Sequence, residues 1–450
     1  MKHIVFLGLV LLAPVATLFA QAEISSIDSL VAVYTKNQQF SGSILVARHG
    51  KVLLKKGYGL RDAIVAAPNT PGTIFNIASL TKSFTATLIL QLQQQGKLAV
   101  SDKLSKYYPS FPNGDSITIH QLLTHTSGIF NYTNDQHFMS VDQSKPVSLD
   151  SMIALFKDRP VNFRPGTKFS YCNSGYILLG YIIEKTTGKS YGQALEEMIF
   201  EPLGMVHSSY GPPVEKAGNL AVGYQGYTKN KFQAAGPVHP SVSFATGAIY
   251  STVEDLYIFH RALQDHILLT AGSILQAYKK DIGNYGYGWF TDSLYGRQRI
   301  SHSGSIAGFK AHINRMPSDD ACIIVLSNQG NSKVSDIARL AMALLYKQPL
   351  PVISAAPPII QLPQNVLRQY VGSYEIAAQQ IIDISLSGSQ LIFQIRGDVA
   401  YEIQPVKPQL FFFKVFKPEQ VRLEFVIENG QVDLLYFYRN GQKIPAKKVR

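Results

Sequence analysis

Five prolines between residues 349 and 363, Pro349, Pro351, Pro357, Pro358 and Pro363, exclude a regular helix or a central strand there. Each lacks a backbone N–H and holds φ near one value. The chain must therefore build its hydrophobic cores on either side of this stretch. Residues 349–363 read as a linker between a domain of residues 23–348 and a second of residues 364–450. After the linker, short alternating runs meet turn signals at Ser387-Gly388-Ser389, Asn429-Gly430 and Asn440-Gly441, which predicts an antiparallel β domain closed as a small barrel.

Before the linker the period changes repeatedly. Ser43 to Tyr58 reads as a β-hairpin reversing at His49-Gly50-Lys51. Phe84, Leu88 and Leu92 recur at helical spacing in a segment from about Ser79 to Gln95, which stops at Gly96. Further helical patterns run from Tyr176 to Glu184, from Tyr191 to Met198 and from Val334 to Tyr346, and strands return at His302 to Met316 and Ala321 to Leu326. Strands at both ends with helices between predict an α+β domain whose sheet is completed by distant parts of the chain. With 46% hydrophobic and 16% charged residues among 450, there is ample material for two cores.

The first residues, Met1-Lys2-His3, precede an apolar run from Ile4 to Ala20 that ends in Ala20-Gln21-Ala22, the layout of a cleavable signal peptide over residues 1–22. Export to a periplasmic or secreted location is the expectation, with membrane contact only if that segment stays uncleaved. The net charge of +12 suits an anionic surface such as a cell-wall polymer, but the cations are dispersed and no nucleic-acid motif accompanies them. Two cysteines, Cys172 and Cys322, are too few for a disulfide framework. Eleven scattered histidines without H-E-x-x-H or paired CxxC spacing predict no metal, and no cofactor motif is present.

Three short patterns carry candidate chemistry. In Ser79-Leu80-Thr81-Lys82, residues three apart share a helix face, so the Lys82 amine can approach the Ser79 hydroxyl and act as its base if burial and nearby positive groups depress its pKa. Two fixed residues at this spacing recur by chance about once or twice in such a chain. In Tyr171-Cys172-Asn173 the phenol serves as phenolate or proton relay, the amide can hold a substrate carbonyl, and Cys172 is expected to be a buried filler; Y-x-N also occurs at Tyr132 and Tyr438. In His302-Ser303-Gly304-Ser305, read as the start of an edge strand continuing into Phe309 and Ile313, alternation puts His302 and Gly304 on one face and Ser303 and Ser305 on the other. Glycine admits a close substrate backbone, and the Ser305 N–H is a candidate oxyanion donor.

Read in order, these patterns sit in longer blocks. Gly72 to Phe84 around Ser79, Leu122-Leu123-Thr124-His125-Thr126-Ser127-Gly128, Arg164 to Tyr176 around Tyr171, Ser251 to Leu256, Gly286-Tyr287-Gly288-Trp289 and Ser301 to Phe309 together resemble the class C β-lactamase and penicillin-binding DD-peptidase superfamily over roughly residues 28 to 346. The resemblance implies a helical subdomain packed against an antiparallel sheet flanked by helices, with the site between them. It selects Tyr171 over Tyr132 and Tyr438. The resemblance implies Ser79 as the nucleophile, Lys82 as its base or proton relay, and Tyr171 as a second acid/base. Asn173, His302, Ser303 and Gly304 bind substrate, and the backbone N–H groups of Ser79 and Ser305 form the oxyanion hole. His302-Ser303-Gly304 stands where many class C enzymes have K-T-G, which points to D-amino-acid peptides or amides, as in DD-carboxypeptidases and D-aminopeptidases, before antibiotics. A carboxylesterase, a weak β-lactamase and a noncatalytic penicillin-recognising scaffold are the alternatives. The expected partner is a small-molecule or peptide substrate, a cell-wall peptide or β-lactam among them; the oligomeric state is left open. The C-terminal domain is similar to lipocalin-like modules appended to other members, with a packing or lid role.

Overall fold

The computed structural model describes residues 13–213, 218–228, 231–350, 359–377, 380–396, 400–413, 421–428, 430–439 and 442–449. Most of the leader expected over residues 1–22, most of the proline-rich linker, and the turns at Asn429 and Asn440-Gly441 lie outside the described residues. Two compact units divide between Leu350 and Pro351.

The first unit is organised by a six-stranded antiparallel sheet made of β1 (Gly42–Arg48), β2 (Lys51–Tyr58), β3 (Phe290–Leu294), β4 (Arg297–Ile306), β5 (Phe309–Met316) and β6 (Ala321–Ser327), in the spatial order β3-β4-β5-β6-β1-β2. The two ends of the domain meet where β1 pairs with β6, Gly42 opposite Ser327 through Arg48 opposite Ala321. The β1–β2 turn places His49 at φ +53° and Gly50 at φ +72°. Two positive φ values in succession match the twist of the strands they join.

β6 is an unbroken apolar run because both its faces are covered. Cys322, Ile324 and Leu326 belong to the large core on one face, while Ala321, Ile323 and Val325 belong to a second core on the other. Cys322 is thus the buried hydrophobe its context predicts. Six helices matter here: α1 (Ala13–Lys36), α2 (Thr81–Gln94), α3 (Asn173–Thr187), α4 (Pro240–Gly247), α5 (Val253–Gln264) and α6 (Val334–Leu345). Residues of α1 and α6, including Ile27, Val31, Ile337, Leu340 and Ala341, make the second core. In the large core, Phe84 of α2 stacks on Phe259 of α5 with centroids 4.0 Å apart. Full burial of a ring of this size contributes about 1.5–3 kcal/mol. No helix among the described residues is long and apolar enough to cross a membrane.

Two expectations about the third pattern are corrected. The strand does not run from His302 into Ile313. It turns at Ala307-Gly308, where Gly308 has φ +75°, so Ile306 lies opposite Phe309 and Ile313 lies opposite His302 on the next strand. β4 is also not the sheet edge along its whole length. β3 pairs with it only as far as Ser301, opposite Phe290, which leaves His302 to Ile306 beyond the β3 ladder.

The second unit is a closed antiparallel barrel of eight strands: β7 (Gly372–Ala377), β8 (Gln380–Ser387), β9 (Gln390–Ile395), β10 (Ala400–Lys407), β11 (Leu410–Phe413), β12 (Val421–Glu428), β13 (Gln431–Arg439) and β14 (Gln442–Lys448). β14 closes on β7 through Tyr374 opposite Lys448, which removes both sheet edges. The β8–β9 turn passes through Gly388 at φ +60°, as Ser387-Gly388-Ser389 predicts. Phe393, Phe411, Phe413, Phe425 and Phe437 fill the interior, so this barrel is packed.

Candidate active site

Ser79 sits in a single 3₁₀ turn, Ala78–Leu80, that leads into α2. The Asn76 side-chain oxygen accepts the Ala78 N–H at 2.7 Å. Ala78 takes φ +49°, a left-handed conformation that a residue with a Cβ adopts only at a cost. Backbone strain is therefore held one residue before Ser79. From the first turn of α2, the Lys82 ammonium reaches the Ser79 hydroxyl oxygen at 3.0 Å and the Thr246 carbonyl of α4 at 2.9 Å.

Lys82 is fully buried, and burial lowers its pKa to about 7. The shift comes from burial, and a charge interaction with Cys172 acts in the opposite direction. Near neutral pH a substantial fraction of Lys82 is an uncharged amine beside a hydroxyl, the arrangement general-base activation needs.

Tyr171 lies in an irregular segment just before α3, with Lys82 Nζ 5.1 Å from its ring centroid. Burial holds its phenol well above the usual tyrosine range, and a hydrogen bond with Ser79 offsets part of that rise. A phenol neutral near physiological pH is in the state a proton relay uses. Cys172 is buried, with its sulfur 3.3 Å from the Ile129 carbonyl, and burial raises its thiol pKa. Asn173 opens α3 and donates from Nδ2 to Thr133 Oγ1 at 3.1 Å.

His302 is not placed in the cleft. It is 1% exposed, its Nδ1–H donates to the Ser303 carbonyl at 2.7 Å, and its Nε2 accepts from the Tyr285 hydroxyl at 2.9 Å. Burial, with repulsion from Lys82, lowers its pKa to about 3, so the imidazole is neutral at physiological pH. On the same face of β4, Gly304 meets the nucleophile turn. A Cβ there would stand 2.3 Å from the Ile77 carbonyl oxygen and 3.2 Å from the Ser79 nitrogen. Glycine is required at Gly304 by the protein's own backbone, which packs against this position from the nucleophile turn. Ser303 and Ser305 are exposed on the other face.

Ser79 and Asn173 line a cavity of about 300 Å³ together with Thr133, Thr246 and Ser305, with Val242 and Ile306 among its apolar walls, whereas Lys82, Tyr171, His302, Ser303 and Gly304 do not border it. Tyr132 and Thr133, from the Y-x-N copy set aside on context, also line it, whereas Tyr438 belongs to the barrel. Sequence reasoning missed Thr246, whose carbonyl holds Lys82, and Tyr285, which orients His302. Tyr285 adjoins the block Gly286 to Trp289, the one available signal. No cluster suited to a metal occurs among the described residues.

A serine hydroxyl held by a buried, neutralisable lysine, on a helix entry packed against an antiparallel sheet, defines a serine hydrolase that works by acyl transfer. The chain belongs to the Beta-lactamase family, whose profile matches residues 27–347. It is 31% identical over 335 residues to the putative penicillin-binding protein PbpX of Bacillus subtilis, covering 73% of this chain and 82% of that one. Among solved structures, an octameric penicillin-binding protein homologue from Pyrococcus abyssi superposes with a TM-score of 0.68 at 26% identity, covering 94% of this chain and all of that one. A D-stereospecific amidohydrolase from Streptomyces superposes with a TM-score of 0.60 at 25% identity, covering 72% and 98% of the two chains.

Proposed function

We propose that the protein is an exported DD-carboxypeptidase-like hydrolase that cleaves a D-amino-acid peptide or related amide through an acyl-enzyme on Ser79. The observation that carries the reading is the 3.0 Å contact between Ser79 and a lysine whose pKa burial brings to about 7. Ser79 Oγ attacks the amide carbonyl carbon as Lys82 takes its proton. The negative oxygen of the tetrahedral intermediate is held by the backbone N–H groups of Ser79 and Ser305. Tyr171 relays the proton to the leaving nitrogen as the C–N bond breaks. Water then attacks the ester carbonyl, giving its proton back through the same groups, and the acid leaves with Ser79 regenerated. Asn173 holds the substrate amide, Ser303 and Gly304 belong to the strand along which it lies, and His302 acts from behind that strand as a neutral support. The similarity to the putative penicillin-binding protein PbpX and to a D-stereospecific amidohydrolase supports this choice.

A second reading, a carboxylesterase on the same fold, is favoured by one observation. None of the described residues lining the cavity carries a charged side chain. A substrate without a free carboxylate meets no unpaired partner there.

The two readings separate when the protein is incubated with a fluorescent penicillin, a peptide ending in D-Ala-D-Ala, a D-amino-acid amide and a short-chain aryl ester, following adduct mass and product release. The expected outcome is an adduct on Ser79 and D-amino-acid release, both lost in Ser79→Ala. Ester turnover without amide turnover promotes the second reading, and no Ser79 adduct with any donor removes both.

A further inference from the structure

Tyr171 has no secondary structure to hold it. The segment leading to α3 is irregular through Cys172, yet the phenol must meet Ser79 and Lys82 to a fraction of an ångström. The structure places both neighbours of Tyr171 on one residue. Ser170 N–H donates to the His125 carbonyl at 3.0 Å, and Cys172 N–H donates to His125 Nδ1 at 3.1 Å. The imidazole lies against the Tyr171 ring with centroids 4.2 Å apart, and is flanked by Tyr285 at 4.6 Å and Tyr176 at 5.1 Å. The same template continues along the loop, where Gly166 N–H donates to Thr126 O at 2.8 Å and Asn162 N–H to Gly128 O at 2.7 Å.

His125 adopts φ +58° to do this, an uncommon conformation for a residue with a Cβ. Its Nδ1 accepts a hydrogen bond, so the neutral ring carries its proton on Nε2, which is buried and has no hydrogen-bond partner among the described residues. Strain and an unpaired buried N–H are both unfavourable, and a leucine would fill the space without the second. What a leucine lacks is the acceptor for Cys172 N–H.

We propose that His125 is a positioning residue for catalysis: its ring and its Nδ1 hold the Tyr171 phenol in register with Ser79 and Lys82. His125 is not among the residues that line the cavity, and it acts through the backbone and ring of the Tyr171 segment. It is held neutral by burial, with repulsion from Lys82 reinforcing this, so its role is steric and directional and involves no proton transfer. The inference rests on the Ser79, Lys82 and Tyr171 assignment above.

Two variants isolate it. His125→Gly accepts the positive φ without strain and keeps the carbonyl for Ser170, but deletes both ring and acceptor. His125→Asn tolerates the same φ and returns a side-chain oxygen near the position of Nδ1. The full-length protein and both variants are assayed with a chromogenic ester and a fluorescent penicillin, with active sites counted by adduct mass and folding followed by circular dichroism. His125→Gly is expected to lower kcat and the acylation rate about 100-fold per folded molecule with KM little changed, and His125→Asn to recover at least about tenfold of that loss. The pH profile keeps its wild-type midpoint in both. Rates per folded molecule within about threefold of wild type in His125→Gly, or no recovery in His125→Asn, overturn the proposal. A wild-type protein that forms no Ser79 adduct instead overturns the site assignment on which it rests.

Discussion

The Tyr285 hydroxyl donates to His302 Nε2 at 2.9 Å, and this bond with the one from His302 Nδ1–H to the Ser303 carbonyl selects a single neutral tautomer. The strand that resembles a K-T-G motif therefore has no fixed positive charge at its first position. Lys82 is the group at this site whose charge changes near neutral pH, and the site is electrically simple as a result.

A single ionisation should govern the rate between pH 5 and 9. Lys82 is brought to about 7, His302 lies near 3, and Tyr171 lies above its usual range. With a neutral ester, kcat/KM should rise through about pH 7, as Lys82 loses its proton, and level off. His302→Gln should keep that limb, because the imidazole it replaces does not titrate there. Lys82→Arg should lose it together with most of the rate. A limb that vanishes in His302→Gln would contradict the assignment of this ionisation to Lys82.

Gly304 is predicted to tolerate no side chain. A Cβ 2.3 Å from the Ile77 carbonyl oxygen must displace the turn that carries Ser79, so Gly304→Ala should lower kcat/KM by about 100-fold or more and reduce the melting temperature. Gly272, in the helix Ala271–Tyr278, provides the comparison. A Cβ there meets nothing closer than 3.9 Å, and Gly272→Ala should be neutral or stabilising by up to about 1 kcal/mol. Thermal melts and ester turnover on both variants measure the contrast.

What could be read from the residues follows from range. Ser79 and Lys82 are three apart, one in the 3₁₀ turn and the other in the first turn of the helix it leads into, a local relation that spacing reveals and that the structure shows as the 3.0 Å contact. Tyr171 was separable from Tyr132 only by surrounding blocks, since the letters are the same, and the fold brings Tyr132 to the cleft wall as well. The state of His302 was not legible. Its burial and its bond to Tyr285, seventeen residues earlier, arise from packing across the sheet. The strand ends around it were misplaced because Ala307-Gly308 carries little turn signal beyond one glycine. The pairing of β1 with β6 was legible only as a class of topology, because two apolar strands almost 280 residues apart do not announce their register.

Lys82 should make the protein less stable in acid, and the sign follows from its depressed pKa. The unfolded chain binds a proton at Lys82 up to about pH 10.5, whereas the folded protein releases it near 7. Below pH 7 both states are charged and the whole cost of burying the ammonium is present. Between 7 and 10.5 the unfolded state binds more protons, so that cost declines as pH rises, at up to about 1.4 kcal/mol per pH unit. Wild type should therefore gain stability over Lys82→Met between pH 7 and 9, with little relative change between pH 5 and 6.5. Urea denaturation of the two proteins at these pH values reads the difference directly.

His260 presents the opposite case to His125, a buried histidine whose work is confined to stability. Arg315 of β5 is 1% exposed; its Nε–H donates to His260 Nδ1 at 2.9 Å, and Nη1 donates to the Tyr278 hydroxyl. The remaining ring nitrogen, Nε2–H, donates to Asp320 at 3.2 Å, so the imidazole connects a buried guanidinium to a carboxylate. Burial lowers the His260 pKa to about 4, which keeps the ring neutral and spares Arg315 a charged neighbour. His260→Leu leaves the guanidinium without its nitrogen acceptor and cuts the link to Asp320. A loss of about 3 kcal/mol is expected in urea denaturation at pH 7, where leaving a buried charge unsatisfied is the governing cost. Because none of these groups borders the cavity around Ser79, kcat/KM per folded molecule should stay within about twofold of wild type. A large fall in turnover with unchanged stability would instead assign His260 to the chemistry.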